Sequence, residues 1–277
     1  MRALRDSDYV VVGVPFDSTS TYRPGARFAP LAIREASLNI ELYSLRTGIS
    51  FEDLKVHDAG DLHVTGNVEE NLRRLSLVTG EVLEQNRIPV FIGGEHTLTL
   101  GVAEGIKRDF GLVCFDAHLD MRDEYSGQQV CHATVMRRIN EKVKPSTIVQ
   151  LGTRAASKEE VKYAEKVEVT YITSYQIMRE GVEEAAELVN RALTNCKHIY
   201  VTVDLDVLDP SFAPAVQNPE PEGLATHSLL EILHRVCGSR VVGFDLVEVA
   251  PNYDSGTTAI QAAKIIFEIM SFIRRGR

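Results

Sequence analysis

The sequence predicts an α/β fold built on a mainly parallel sheet with helices over both faces, and three observations lead there. Short runs dense in valine, isoleucine, leucine and phenylalanine, at 88–92, 112–115, 199–203 and 241–247, alternate with helical patterns from end to end. These runs are apolar at almost every position, as strands buried on both faces require. The residues of chemical character gather just beyond them, in Gly93-Gly94-Glu95-His96, Asp116-Ala117-His118-Leu119-Asp120, Asp204-Leu205-Asp206 and at Glu248. In an open α/β sheet, groups at the carboxyl ends of strands converge on one crevice.

Each element follows in order. Residues 9–15, continuous in valine, predict the first strand. A loop with Ser18, Thr19, Ser20, Arg23, Pro24 and Gly25 leads to a helix opening near Pro30, where proline is tolerated in the first turn. Leu72, Leu75, Val78 and Val82 stand at helical spacing and predict a helix over 68–85. Strand 88–92, helix 97–108 and strand 112–115 come next, then a short helix over 132–140. Strands at 147–151 and 167–172 precede a helix over 182–193 and a strand at 199–203. Ser228 with Glu231 three residues later forms a capping-box pattern before Leu229, Leu230, Ile232 and Leu233. Strand 241–247 and helix 258–273 close the chain. With no internal repeat, low-complexity stretch or linker, residues 1–277 are expected to form a single domain.

The bulk composition excludes several functions. At 277 residues, with 44% hydrophobic and 25% charged residues, the chain is an ordinary globular sequence. A net charge of -9 is the wrong sign for general nucleic-acid binding. No run approaches the roughly 20 apolar residues of a membrane span, and the N-terminus lacks a secretory apolar region. Cys114, Cys131, Cys196 and Cys237 are scattered without a C-x-x-C pair, so free thiols in a reducing cytoplasm are expected. Cys131 abuts His132 near the expected site, but it is not expected to act as a nucleophile.

Asp116, His118 and Asp120 lie at alternate positions, which in extended chain point to one side while Ala117 and Leu119 point away. Asp204 and Asp206 repeat the device. A lone aspartate in such a place is a turn or cap, and Asp209-Pro210 is read that way. Paired carboxylates are different, since clustered like charges are costly unless cations neutralise them. Gly93 and Gly94 allow a tight turn that aims His96 at the same crevice. Two imidazoles with four carboxylates form an oxygen-rich donor set, suited to a pair of divalent metals and to manganese before cobalt, nickel or zinc. Such pairs activate a shared water for hydrolysis. Four aspartates, two dications and a hydroxide leave a formal charge of about -1, which favours a cationic substrate.

At these segments the chain resembles the ureohydrolase family, which includes arginases and agmatinases, over nearly its whole length. The resemblance rests on Gly93-Gly94-Glu95-His96-Thr97, Phe115-Asp116-Ala117-His118-Leu119-Asp120 and Val203-Asp204-Leu205-Asp206-Val207-Leu208-Asp209-Pro210. It implies a three-layer α/β/α sandwich, two Mn2+ ions per subunit, and hydrolysis of a guanidinium to urea and an amine. It also implies that His96 and Asp120 bind one ion, His118 and Asp206 the other, and that Asp116 and Asp204 bridge them. Glu248 matches the family's guanidinium-binding carboxylate, and His132 its proton shuttle to the leaving amine, with Asp120 a second proton carrier. Asp245, inside its strand, is expected to be a buried partner of the site and not a ligand. Trimers or hexamers are the assemblies implied.

Agmatinases are the closer likeness, through the stretch from Ser18 to Phe28 and through Arg122-Asp123-Glu124-Tyr125. The implied reaction is then hydrolysis of agmatine to urea and putrescine, a step of polyamine biosynthesis. Asp123 and Glu124 are expected to welcome the substrate's far ammonium, with Arg122 pairing an acid or facing the substrate. One segment departs. Where agmatinases carry Gly-Thr-Gly-Thr-Pro-Glu-Pro-Gly-Gly, this chain has Ala215-Val216-Gln217-Asn218-Pro219-Glu220-Pro221-Glu222-Gly223, and larger side chains there are expected to narrow the pocket or change which tail fits. A guanidinobutyrase, an arginase and a formiminoglutamase therefore stay open. So do a dimetal phosphoesterase, which would need a clamp from Arg23, Arg27 and Arg122, and a catalytically silent metal-binding protein.

Overall fold

The computed structural model describes residues 2–277. Its strands are β1 (Tyr9–Gly13), β2 (Val56–Asp61), β3 (Ile88–Ile92), β4 (Gly111–Phe115), β5 (Thr147–Thr153), β6 (Thr170–Thr173), β7 (Ile199–Asp204) and β8 (Val241–Val247). The helices are α1 (Ala29–Ser37), α2 (Val68–Glu84), α3 (Leu98–Gly105), α4 (Val135–Lys142), α5 (Lys158–Lys166), α6 (Ser174–Glu180), α7 (Val182–Ala192), α8 (Thr226–Val236) and α9 (Thr257–Arg275). The strands form one sheet in the order β2-β1-β3-β8-β7-β4-β5-β6, and every pairing is parallel.

Alternate side chains of the strands enter two cores. Val90, Val113, Val201 and Phe244 pack under α1, α6, α7, α8 and α9. Phe91, Leu112, Tyr200 and Val247 pack under α2, α3, α4 and α5 on the opposite face. The result is a three-layer α/β/α sandwich. Gly101 and Gly105 bring α3 against α2, since a Cβ on either would lie 2.7 Å from Leu72 O or 2.5 Å from Ser76 O.

Four expectations are corrected. The box expected of Ser228 and Glu231 does not form, because α8 starts earlier, at Thr226, and Glu231 instead meets Arg46 Nε at 3.2 Å. Helix α3 stops at Gly105, where Ile106 turns extended. Strand β6 starts at Thr170, because Val167 still caps α5. The segment 132–140 opens as a 3-10 turn over His132–Thr134 before α4 begins.

The topology locates the site. From β3 the chain passes to β4 and leaves two central places, which β7 and β8 fill later. The crevice at such a switch point lies beyond the carboxyl ends of these four strands. Among the described residues no helix is long and apolar enough to cross a membrane. All four cysteines are buried and free.

Candidate metal centre and active site

Each central strand delivers one part of the site. After β3, Gly93 and Gly94 take φ of 77° and 84°, and a Cβ on Gly94 would come within 2.5 Å of Val14 O. That turn, which only glycine tolerates, buries His96 at 1% exposure. Its Nδ1 lies 3.1 Å from Asp116 Oδ2, 3.1 Å from Asp120 Oδ2 and 3.4 Å from Asp204 Oδ2. Its Nε2 meets Thr202 Oγ1 at 3.1 Å, and Thr202 donates onward to Asp245 Oδ1 at 2.5 Å. Tyr200 and Thr99 donate to the other oxygen of Asp245 at 2.7 and 3.1 Å. Asp245 is thus the buried partner expected, orienting His96 through Thr202.

A second group forms around His118, whose Nδ1 is 3.0 Å from Asp206 Oδ2 and 3.5 Å from Asp116 Oδ1. Asp116 therefore offers one oxygen to each histidine. Asp204 reaches His96 through Oδ2, at 3.4 Å, while its Oδ1 accepts the Asp206 N–H at 2.9 Å, so it stands between the two groups. Asp206 Oδ1 in turn accepts the Ala117 N–H at 3.0 Å, which ties the β4 and β7 loops together.

The donor set fits divalent cations. The Thr202 hydroxyl donates to Asp245, so it accepts from His96 Nε2–H. Unprotonated His96 Nδ1 then faces three carboxylates, an arrangement that is repulsive until a positive charge sits among them. The protonation tendencies express the same frustration. Burial, then the charge of Asp116, pushes Asp120 up to about 7. Burial, then Asp206 and Asp116, raises Asp204 well above the carboxylate range. Burial works against charge on His96, yet Asp116, Asp120 and Asp204 outweigh it and raise its pKa well above normal. A cation replaces such a proton.

Glu248 follows β8 with φ of 68°, and Asp120 has φ of 53°. Left-handed backbone at two non-glycine residues of one site is strain of the kind stored at functional centres. Glu248 Oε1 accepts the His96 N–H at 2.6 Å, whereas Oε2 is buried with no hydrogen-bond partner. Burial raises its pKa well above the ordinary glutamate value. His132, 7% exposed, hangs between Thr19 and Thr21, and burial, then the nearby His118 and His96, lowers its pKa to about 4.

A cleft of about 400 Å³ opens over these groups and brings Asp120, Arg122, His132 and Glu248 together with His118, Asp204 and Asp206. His96 and Asp116 lie beneath it. Asp123 and Glu124, expected to read the substrate, fall outside the lining. Asp123 turns to Arg138, at 2.7 Å, and to Arg137, at 3.1 Å, and Glu124 faces solvent. Arg122 stands at the rim, 5.0 Å over the Tyr125 ring and 3.5 Å from Glu160 Oε2.

The departing segment behaves otherwise than expected. Gln217 does not enter the cleft; its amide reaches the Ser20 hydroxyl and Arg23 O and pins the 18–25 loop. Asn218, Pro219 and Glu220 do line the cleft. Asp209 is a turn residue as read, accepting from Ser211 N–H at 3.0 Å and Gly223 N–H at 3.1 Å. Sequence reasoning missed Glu160 and Glu220 in the wall, and also Arg154. The Arg154 guanidinium donates to the carbonyls of Asp206 at 2.6 Å, Glu220 at 2.8 Å and Pro221 at 2.8 Å, joining the ligand turn to the rim loop. The Ser157–Glu160 capping spacing was the one local signal for Glu160.

Comparison with known proteins agrees with this geometry. A family profile described as the arginase family matches residues 7–271. The chain is 40% identical over 266 residues to an uncharacterized 32.2 kDa protein of Methanothermus fervidus, covering 95% of this chain and 91% of that one. It is 34% identical over 275 residues to an agmatinase of Pyrococcus horikoshii, covering 98% and 94%. The solved agmatine ureohydrolase of Thermoplasma volcanium superposes with a TM-score of 0.93 at 35% identity, covering 99% of this chain and 92% of its own.

Proposed function

The chain belongs to the arginase family and is a ureohydrolase acting on linear C–N bonds; from that premise we propose that it hydrolyses agmatine to urea and putrescine with two manganese ions. One observation carries the substrate class: the buried, unpartnered Oε2 of Glu248 at the floor of an acid-rich cleft. A guanidinium supplies the donors that this oxygen lacks. With Asp120, Asp204 and Asp206 given to the ions and Glu248 to the guanidinium, Glu160 and Glu220 remain in the lining against Arg122 as its one arginine or lysine, so a cationic tail is favoured over a carboxylate tail. The single arginine at the rim also disfavours a phosphoester substrate.

His96 with Asp120 and His118 with Asp206 would hold the two ions, with Asp116 and Asp204 shared. When bound, such a pair lowers the pKa of water and polarises the guanidinium. The protein's part is orientation and proton movement. Glu248 fixes the planar guanidinium above the donors. His132, neutral through burial, can take a proton from the attacking water and return it to the departing amine, with Asp120 the second group within reach. Oxygen adds to the guanidinium carbon, the carbon–nitrogen bond to the tail breaks, and that nitrogen leaves with the proton. We place 1–277 in one domain that works in the cytoplasm as a trimer or hexamer, which light scattering reads.

The test is urea or formamide release from agmatine, arginine, guanidinobutyrate and formiminoglutamate with manganese, alongside metal analysis. Agmatine is expected to give the highest kcat/KM by at least about tenfold, a margin worth 1.4 kcal/mol. A higher value for a carboxylate-bearing substrate refutes the assignment. Two bound metals without turnover of any of the four would leave a silent binding protein.

A further inference from the structure

Behind His132 lies a buried chain of hydrogen bonds that metal binding does not require. Glu95, fully buried, is wrapped by three donors: the Thr19 hydroxyl at 2.6 Å, the Thr19 N–H at 2.7 Å and the Thr97 hydroxyl at 2.7 Å. Thr19 Oγ1 also lies 3.3 Å from His132 Nδ1 and accepts the His132 N–H at 3.2 Å. On the other side of the ring, Thr21 Oγ1 lies 3.3 Å from Nε2.

Donor counting fixes the direction. A threonine hydroxyl has one proton, and for Thr19 the near acceptor is Glu95 Oε1 at 2.6 Å, against 3.3 Å to His132 Nδ1. The Thr19 proton points at Glu95, so toward His132 the same oxygen can only accept, and Nδ1 must carry the ring proton. Nε2 is then left with its lone pair at the cleft wall, held by the Thr21 hydroxyl until substrate arrives. The 3.3 Å contacts are long, of the kind that tighten once substrate fills a site.

We propose that Thr19 and Glu95 are positioning residues that hold His132 in the Nδ1–H tautomer, so that Nε2 is the atom that takes and returns the catalytic proton. This rests on the reading of His132 as the proton carrier. In the forward step an O–H bond of the attacking water breaks and its proton joins Nε2. The resulting imidazolium keeps its Nδ1–H on Thr19, whose dipole is aligned by Glu95. When the carbon–nitrogen bond breaks, the pair remains on nitrogen, which takes the proton from Nε2. The imidazole returns to its starting tautomer and nothing is oxidised or reduced.

The test combines kinetics with a direct view of the proton. Thr19→Val keeps the shape and removes the hydroxyl, and should lower kcat at least tenfold with KM within twofold of wild type. Thr19→Ser should restore kcat to within about threefold, which a packing defect would not allow. In a His132→Gln background, Thr19→Val should cost nothing further. Neutron diffraction from manganese-loaded wild-type crystals should show deuterium on Nδ1 of His132, and that measurement stands even if Thr19→Val fails to fold. Deuterium on Nε2 alone, or a wild-type kcat for Thr19→Val beside an inactive His132→Gln, overturns the relay and leaves His132 as proton carrier. Wild-type turnover by His132→Gln overturns the proton-carrier reading itself, and the relay with it.

Discussion

Replacing Glu248 by glutamine separates catalysis from folding at one atom. Glutamine keeps a carbonyl oxygen that can accept the His96 N–H, the 2.6 Å bond that locks the strand end. It loses the charge and puts an NH2 where Oε2 stands buried and unpartnered. A guanidinium would then meet donors with a donor. Removing one partner of a buried, hydrogen-bonded charge pair costs about 2–5 kcal/mol. At 1.4 kcal/mol per tenfold, kcat/KM for agmatine should fall by roughly 30-fold to several thousand-fold. Stability should move the opposite way. Burial raises the folded pKa of Glu248 above its unfolded value, so the folded state pays for ionising it. Stability from such a group is fully present below the unfolded pKa and is lost as pH rises toward the folded one. Glutamine has no charge to lose. The metal-free variant should therefore melt above the wild type at pH 8, with the gap closing toward pH 4. Urea release, metal content and thermal unfolding at both pH values read all of this. A variant with normal metal content and kcat/KM within fivefold of wild type refutes the guanidinium assignment, and one that melts below wild type at pH 8 refutes the account of its burial.

Three further outcomes are expected. His118→Ala should lower bound manganese from about two to about one per chain and cut urea release by more than about 100-fold, beyond the range typical of groups outside the ligand sphere; urea release at the wild-type rate would sink the ligand assignment. Asp123→Asn should leave KM for agmatine within twofold and stability within about 0.5 kcal/mol, because Asp123 is exposed and asparagine can still accept from Arg137 and Arg138; a tenfold rise in KM would return it to the substrate site. Arg154→Lys cannot reach the carbonyls of Asp206, Glu220 and Pro221 together and should destabilise the chain by about 2 kcal/mol in denaturant titration, with KM raised more than kcat; wild-type stability would show the brace to be dispensable.

The elements most legible in the sequence are those whose environment is uniform. Strands β3, β4 and β7 are buried along their whole length and β8 everywhere but half-buried Val242, so their apolar runs mark them almost to the residue. Edge strand β2 reads Val-His-Asp-Ala-Gly-Asp, and its acids serve Arg34 instead of a core, so no periodicity betrays it. Short helices α5 and α6 were missed although Ser157 with Glu160 and Thr173 with Gln176 form true capping boxes. The same spacing at Ser228 and Glu231 misled, because a spacing cannot tell a cap from a first turn. The candidate metal donors were legible because each lies within a few residues of a strand end. Partners far along the chain were not: Thr19 meets Glu95 across 76 residues and His132 across 113.

That division bears on how the substrate is chosen. The candidate donors follow three strands, β3, β4 and β7, with β8 between β3 and β7 supplying Glu248, and their geometry is set by buried contacts such as Asp245 to Thr202 to His96. The rim comes from loops, but these loops are tied. Gln217 joins the 215–223 segment to the 18–25 loop, and Arg154 joins it to the turn of Asp206. Gln217 replaces a glycine of the agmatinase pattern, yet its side chain fills the seam between two loops and leaves the cleft open. Because Gln217 holds Ser20 and Arg23 on either side of Thr21 and Tyr22, which line the cleft, a substitution there should shift that wall without touching a donor. On the proposed function, turnover of the guanidinium and selection of its tail should therefore vary independently, and a Gln217→Gly variant should alter relative kcat/KM among guanidino substrates while metal content stays constant.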